Sequence, residues 1–497
     1  MLRSFFILFL LCSCLPVKAQ SIIWGSSEVV RFHQLPKDLS LSSLAVGNLL
    51  YDSLFRMDNS GHPKPWLVKS YRQVSARRYQ FNLNPGVSFS SGNPLNAQDV
   101  VWSFDKLRQH RAFAQLFSGI QSVKALSAER FEITLTHPYQ GLLSQLAYWF
   151  VFDKRWLLGM GKGQKELVSG SGPYQISEDI SGVRAVLKLK PHYWRKSHDE
   201  GNVTELEVVP ILHEQTRYSA LQGNDVDIID HVSPSHIAAL NASSNLAAVR
   251  MTDMAWLGII FNQQHSWLTQ KKAREALSVG INNAMLYSLV YAPLGQLSSQ
   301  LVSEKFYDRL ISKKNQFLKA YQLLQSVRSN DQPLRLTLVS RKDNRFDLAQ
   351  TLAILKTMFA RMDIDLKVKV LSSEDFDQSL AHCSANLYLV SIRPQPNDLS
   401  GFLKAMLSSY HGHVARLHCA LDRHNLKSQF AHINTLSGHS QKSAYQAFLY
   451  HLSNQYAFKP LFWLDQIWAV NQKISLKVVR NRLGLIYFDE LKINRSR

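Results

Sequence analysis

A chain of 497 residues that is 45% hydrophobic is too long to be served by one hydrophobic core, so two or three domains are expected. Its 57 lysines and arginines outnumber 37 acidic residues, for a formal charge of +20, which favours anionic partners: acidic ligands, phospholipid headgroups, lipopolysaccharide or nucleic acid. The basic residues are dispersed, as in Arg72, Arg77, Arg78, Lys188 and Lys190, with no helix-turn-helix or zinc-finger pattern, and this argues against a nucleic-acid-binding protein.

Arg3 precedes an apolar run from Phe5 to Leu11, and Val17-Lys18-Ala19 has the form of a small-residue cleavage site. Residues 1–19 therefore read as a cleavable secretory signal peptide, too short to span a membrane, and the mature chain carries +18. Leu11-Cys12-Ser13-Cys14 offers the alternative of a lipoprotein signal acylated at Cys14. Tyr79, Phe81 and Leu83 alternate with polar residues as a half-buried strand does, and Pro85-Gly86 stops it. A second short strand is expected at Val87 to Phe89, then a turn at Gly92-Asn93-Pro94. Asn96 stands at an N-cap position three residues before Asp99, with Val100, Val101 and Phe104 at helical spacing.

Gly170-Ser171-Gly172-Pro173 lacks the Lys-Ser/Thr of a phosphate-binding loop and reads as a tight turn into a strand. Asp225 and Asp227, at strand spacing, read as a solvated turn. Cys383 and Cys419 are the cysteines left after the leader. A disulfide between them would contribute roughly 3–4 kcal/mol by chain entropy. A metal site is the alternative, since His382 and His418 precede them and His411 and His413 lie near, but the two-residue ligand spacing of structural zinc is missing. No Gly-x-Ser-x-Gly elbow and no His-x-x-x-His pattern occurs, so nothing argues for an enzyme. Strand-like and helix-like segments alternate throughout, which predicts an α/β fold of mixed α+β elements. Candidate breaks fall at Gly159 to Gly172, Gln263 to Gln270 and Asp465 to Ser475.

The stretch Tyr79 to Phe104 resembles the signature of family five of the bacterial extracellular solute-binding proteins, which includes periplasmic oligopeptide-, dipeptide- and nickel-binding receptors. Phe81, Leu83, Gly86, Val87, Phe89, Gly92, Ala97, Asp99 and Val100 match, whereas Asn84 replaces an arginine and Ser90-Ser91 a His-Asp pair. Further similar steps follow in the family's order: Leu49 to Phe55, Lys64 to Tyr71, Gly170 to Tyr174, Tyr193-Trp194, Leu221 to Ile228, Phe261-Asn262, Ala273 to Leu277 and Tyr445 to Leu461. The ending Leu483 to Asp489 is similar to the solute-binding half of the sugar-phosphate-stress regulators.

The resemblance implies a bilobed periplasmic-binding-protein-like fold with discontinuous lobes and a cleft between them. Residues 20–45, 165–265 and 470–497 would form the first lobe, 46–164 an insertion subdomain and 266–469 the second lobe, with hinge crossings near Asn262 and Gln472. It implies a periplasmic monomer that captures a solute, peptide first, for an inner-membrane ABC permease and its ATPase, with no cofactor, metal or nucleic acid. A ligand sensor that has lost transport, or a receptor for nickel, haem or a sugar, is the alternative. Peptide receptors of the family hold the ligand's ammonium group with an aspartate, and here Gln395 stands at that position with Asp398 as a possible substitute. Phe32, His33, Trp256 and Asn262 complete the candidate ligand-binding set, Trp256 and Asn262 because they would flank the hinge and face the cleft. Trp267 is a further stacking candidate. A nickel or haem site would draw on His411, His413, His418 and His424.

Overall fold

The computed structural model describes residues 20–494 except 59–60, 139–140, 160–167, 196–202, 266, 293–294, 300, 302–315, 329–333, 343–346, 393–401, 404–405, 408, 410–413, 421–422, 437 and 476–485. The signal-peptide reading of 1–19, Cys14 with it, and the candidates Gln395 and Asp398 lie outside the described residues.

Strand β1 (Ser21–Ser26) buries Ile22 and Trp24 completely, as a strand inside a large sheet must. Helix α1 (Leu41–Leu50) starts at Ser40, whose hydroxyl accepts from the Ser43 amide at 3.2 Å. After the short pair β2 (Phe55–Met57) and β3 (Pro63–Pro65) come β4 (Val68–Ser75), β5 (Arg78–Leu83), β6 (Ile120–Ala125) and β7 (Arg130–Leu135), which form an antiparallel sheet in the order β4-β5-β7-β6. The alternation at Tyr79, Phe81 and Leu83 is that of β5: Phe81 and Leu83 are buried, and Phe81 stacks on Phe131 of β7 at 4.9 Å. Helix α2 (Ala97–Leu107) begins where the cap predicts, with Asn96 Oδ1 accepting from the Gln98 amide and the Asn96 amide donating to Asp99. Val100 and Phe104 enter the core, Phe104 stacking on Trp149 at 4.8 Å. The strand expected at Val87 to Phe89 is instead a turn carrying a single bridge between Ser88 and Pro94. Val87 and Phe89 are buried, and their backbone pairs only with the segment just after the turn, the Phe89 amide donating to Asn93 O and the Leu95 amide to Val87 O, each at 2.9 Å, so the pairing stops at one bridge.

The main sheet takes β8 (Tyr174–Ile180), β9 (Arg184–Leu189), β10 (Glu205–Pro210), β11 (Ile228–Ile229), β12 (Leu246–Phe261), β13 (Gln296–Leu297), β14 (Leu334–Arg341), β15 (Ile364–Leu371), β16 (Leu387–Ile392) and β17 (Phe458–Asn471), together with β1. Its order is β15-β14-β16-β12-β17-β11-β1-β10-β9-β8, with β13 also on β17. Helix α3 (Glu214–Gln222) connects β10 to β11, and α4 (Lys271–Gly280), α5 (Leu348–Arg361), α6 (Ser373–Ala381) and α7 (Gly438–Asn454) belong to the second half.

Strands β12 and β17, far longer than the usual five or six residues, run antiparallel through both halves of the molecule. Val249, Met251, Trp468 and Val470 belong to the first core, which also holds Trp24 and the inner face of the four-stranded sheet. Trp256, Ile260, Phe458 and Trp463 belong to a second core, and Leu257, Ile259, Phe261 and Leu461 to the one on the opposite face of the same strands. The core changes mid-strand, where the pairing register shifts between Met251 and Ala255. The fold is thus bilobed, as expected, and the change of core lies earlier on both strands than Asn262 and Gln472, where the hinge crossings were expected. The break read at Asp465 to Ser475 lies largely inside the continuous β17, and the one at Gln263 to Gln270 lies beside a second-lobe core that includes Leu268. Cys383 and Cys419 are joined by a disulfide with Cα atoms 5.6 Å apart, within the second lobe. Among the described residues no helix is long and apolar enough to cross a membrane.

Candidate functional site

Strand β1 is parallel to β10 on one side and to β11 on the other, so all three carboxyl ends open on one edge. In open α/β sheets ligands bind outside that edge. The Val232 amide, just past β11, donates to Ile467 O of β17, so this edge of the first lobe abuts the crossing into the second. At its centre lies Asp230, whose carboxylate is fully buried. It accepts from the Ser27 amide (2.8 Å), from Trp24 Nε1 (3.3 Å) and from the Ser27 hydroxyl, and it meets His231 Nδ1 at 2.8 Å. Burial alone would raise its pKa; the hydrogen bonds from His231 and Ser27 and the nearby Arg217 charge outweigh it and hold the carboxyl below its ordinary value. Arg217 of α3 donates to the carbonyls of Ile211, Asp230 and His231, at 2.7, 3.1 and 3.1 Å, pinning the ends of β10 and β11 together.

Ser27, His231 and Asp230 are the residue types of a hydrolytic triad, but their geometry is different. Ser27 Oγ and Asp230 Oδ2 both meet the same nitrogen, His231 Nδ1, at 3.1 and 2.8 Å, and Asp230 takes the serine hydroxyl directly. A relay needs the hydroxyl and the carboxylate on opposite ring nitrogens. The cluster locks strand ends instead, at the cost of a left-handed backbone at His231 (φ 51°).

At the crossing itself, Arg250 of β12 pairs with the buried Asp465 of β17, and Asp465 also accepts from the Gly295 amide at 3.1 Å. Beside them Trp256 and Trp463 are opposite each other in the β12–β17 register, and Trp256 also pairs with Ile392, the last residue of β16. Trp463 Nε1 is buried and has no partner among the described residues. Gln395 and Asp398 follow Ile392 in sequence, outside the described residues.

The other candidates are dispersed. Trp256 stands beside the crossing, but its side chain is fully buried against Phe458 in the second-lobe core. Asn262 lies at the end of β12 remote from the change of core, where its side-chain amide donates to the carbonyls of Cys383 and Ala385 at 2.8 Å each and so secures the disulfide loop. Phe32 is buried in the first-lobe core, and His33 Nε2 pairs with Asp179 at 3.0 Å. Trp267 packs on the second-lobe core. His411 and His413 lie outside the described residues, and among those described no group of three or more His, Cys, Asp or Glu is placed to hold a metal ion. The solvated-turn reading fails for Asp227, which is buried, accepts from the Ile23 amide at 2.9 Å and pairs with Lys473. Asp225 is exposed. Sequence reasoning missed Ser27, Asp230, Arg250 and Asp465. A carboxylate directly after the buried Ile228-Ile229 was the available signal for Asp230; Arg250 and Asp465, 215 residues apart, carry none.

Gly170-Ser171-Gly172-Pro173 is a close-packed turn into β8. The Gly172 amide donates to Leu50 O at 3.0 Å, and Gly170 O accepts from Lys190 Nζ at 2.7 Å. A Cβ on Gly170 would lie 1.8 Å from Leu50 O, which leaves no room for a phosphate cradle.

A sequence model of the bacterial extracellular solute-binding proteins, family 5 Middle, matches residues 62–413. The periplasmic oligopeptide-binding protein OppA of Escherichia coli (strain K12) is 20% identical over 366 residues, a match spanning 65% of each chain, a little under two thirds of OppA. The nickel-binding periplasmic protein of the same organism is 21% identical over 457 residues, 84% of each chain. Among solved structures, NikA from Brucella suis in complex with Fe(III)-EDTA superposes with a TM-score of 0.84 at 17% identity, covering 95% of this chain and all of that one. The lobes, the crossing strands and the match over most of the chain agree: this protein belongs to the bacterial extracellular solute-binding proteins, family 5.

Proposed function

We propose that this protein is the periplasmic receptor of an ABC importer, which closes its two lobes on a small solute of the peptide class and delivers it to a membrane permease and its ATPase. The observation that carries this reading is the pair β12 and β17, whose cores change mid-strand, so that two lobes are joined by continuous backbone about which they can close. Lobe boundaries at Met251/Ala255 and Leu464/Ile467 are part of this proposal. The carboxyl edge at Ser27 and Asp230 and the tryptophan pair Trp256 and Trp463 flank that joint. The peptide class is supported by the name of the oligopeptide-binding relative. Gln395, an amide where peptide receptors of this family carry a carboxylate, supports a peptide whose amino terminus is not held by charge. Gln395 and Asp398 remain the proposed ligand contacts on the second lobe.

Mass spectrometry of small molecules released by denaturing gently purified protein tests the reading, with a ligand-free relative as background. A heterogeneous set of short peptides is expected. One defined non-peptide species would overturn the solute class, and no released species after incubation with peptide mixtures would overturn the receptor role in favour of a sensor.

A further inference from the structure

The outer face of the four-stranded sheet carries a basic array. Its register sets Arg72 opposite Gln80, Gln80 opposite Glu132 and Glu132 opposite Lys124 across the four strands, with Arg130 opposite Asn82 and Arg78 opposite Thr134. Directly opposed residues in antiparallel strands share a face, so Arg72, Arg78, Lys124 and Arg130 project from one side, and all four are exposed. The other side holds Phe81, Phe131, Ile133 and Leu135, all buried. Between residues 63 and 136 the sequence has ten lysines and arginines against four acidic residues, so the array stands in a basic region.

These charges are not neutralised internally. Among the described residues no carboxylate lies within ion-pair distance of Arg72, Arg78, Lys124 or Arg130, nor of the flanking Lys69 and Arg77. The acidic residue on the face, Glu132, accepts from Gln80 Nε2 at 2.9 Å, while Arg72 Nη2 donates to Gln80 Oε1 at 2.7 Å. The ladder β8-β9-β10 behaves in the opposite way: Arg184 pairs with Glu178 and Glu207, and Lys188 with Glu205. One sheet of this molecule balances its surface charge and the other leaves it open.

We propose that the outer face of β4-β5-β7-β6 docks on an anionic phospholipid surface. Like charges set this close repel one another, and an opposing layer of phosphates relieves that repulsion. Four paired strands make a platform about 14 Å across, and its basic residues stand on long flexible side chains. Such a platform suits a laterally mobile plane of headgroups better than one anion of fixed geometry. The inference is independent of which solute occupies the cleft.

Sedimentation of the chain from residue 20 onward with lipid vesicles tests it. The protein is expected to pellet with phosphatidylcholine vesicles containing about 30% phosphatidylglycerol, not with phosphatidylcholine alone, and to be released between about 50 and about 500 mM salt. A variant with Arg72→Glu, Arg78→Glu, Lys124→Glu and Arg130→Glu should bind about tenfold more weakly or worse. A control with Lys271→Glu, Lys272→Glu, Lys356→Glu and Lys367→Glu, exposed in the second lobe, should bind as wild type does. Thermal midpoints close to wild type show that both variants fold. The proposal is overturned if the first variant keeps its binding, if the control loses as much, so that net charge alone acts, or if soluble heparin is bound as tightly as vesicles, which assigns the face to a polyanionic chain.

Discussion

Lys190, half-buried, and Asp230, fully buried, are charges with opposite balances. Asp230 is surrounded by donors, and its charged form is favoured despite burial. Lys190 has one carbonyl, Gly170 O, at 2.7 Å, and burial pushes its pKa down to about 8, with Asp52 opposing only part of the shift. Unfolded lysine titrates near ~10.4, so below pH ~8 the folded protein holds the Lys190 charge at a constant penalty, and between ~8 and ~10.4 the unfolded chain binds more protons. Over that window this residue's contribution to stability rises with pH. In protein carrying carbon-13 at lysine Cε, one resonance should titrate with a midpoint near pH 8 and vanish in Lys190→Gln. If every lysine titrates near 10, the burial of this ammonium is wrong. The surroundings of Lys190 and of Asp227 were not legible in the sequence. Lys190 reads as one of many dispersed cations, and Asp227 reads as a turn carboxylate, because what decides both is a backbone segment distant in the chain: Gly170 for one, Ile23 for the other.

At the scale of elements, the sequence is legible where structure is set locally. The cap of α2 and the alternation of β5 depend on neighbours a few residues away, and both elements stand where they were expected. Val87 to Phe89 shows the limit, since apolar alternation reports which side chains are buried but not how far the pairing extends, here a single bridge to Pro94. The long strands β12 and β17 were missed as single elements because each serves two lobes, and their polar residues at the crossing look like a linker. Gly170-Ser171-Gly172 reads in the sequence as a tight approach to a strand, and its reason is the proximity of α1's end: a Cβ on Gly172 would lie 2.5 Å from Leu50 C and from Tyr51 N. Those are backbone atoms that cannot rotate away, so Gly172→Ala should cost about 3 kcal/mol or more. Ser171 between them has its hydroxyl buried with no partner among the described residues, so Ser171→Ala should be neutral or slightly stabilising. Urea denaturation of the two variants separates the cases; equal costs would show that the turn tolerates side chains generally.

For the whole molecule, the crossing decides how freely the lobes move. Two continuous strands form the joint, their ladder broken by the register shift between Met251 and Ala255, and the ion pair of Arg250 with Asp465 fastens it at that point. Arg250 stands on the first-lobe side of β12, while the Gly295 amide that Asp465 also accepts belongs to the loop that leads into β13 on the second lobe. With the proposed lobe boundaries, Asp465 ties both lobes at the joint, and its carboxylate is buried although Arg250 is partly exposed. Removing it leaves the guanidinium and the amide without that acceptor, which weakens the tie by about 1–3 kcal/mol. The solute-free distribution of interlobe distances should broaden in Asp465→Ala, because each conformation other than the tied one gains by that amount. Dyes on Lys124→Cys and Lys367→Cys, exposed on opposite lobes, report the distance by single-molecule energy transfer, and the bonded Cys383 and Cys419 do not compete for label. The exposed pair Arg335 and Asp365 is the comparison: Asp365→Ala removes a surface ion pair within the second lobe and should leave the distribution unchanged. An Asp465→Ala distribution identical to wild type would show that the backbone ladder alone holds the joint and that the buried carboxylate serves only local packing.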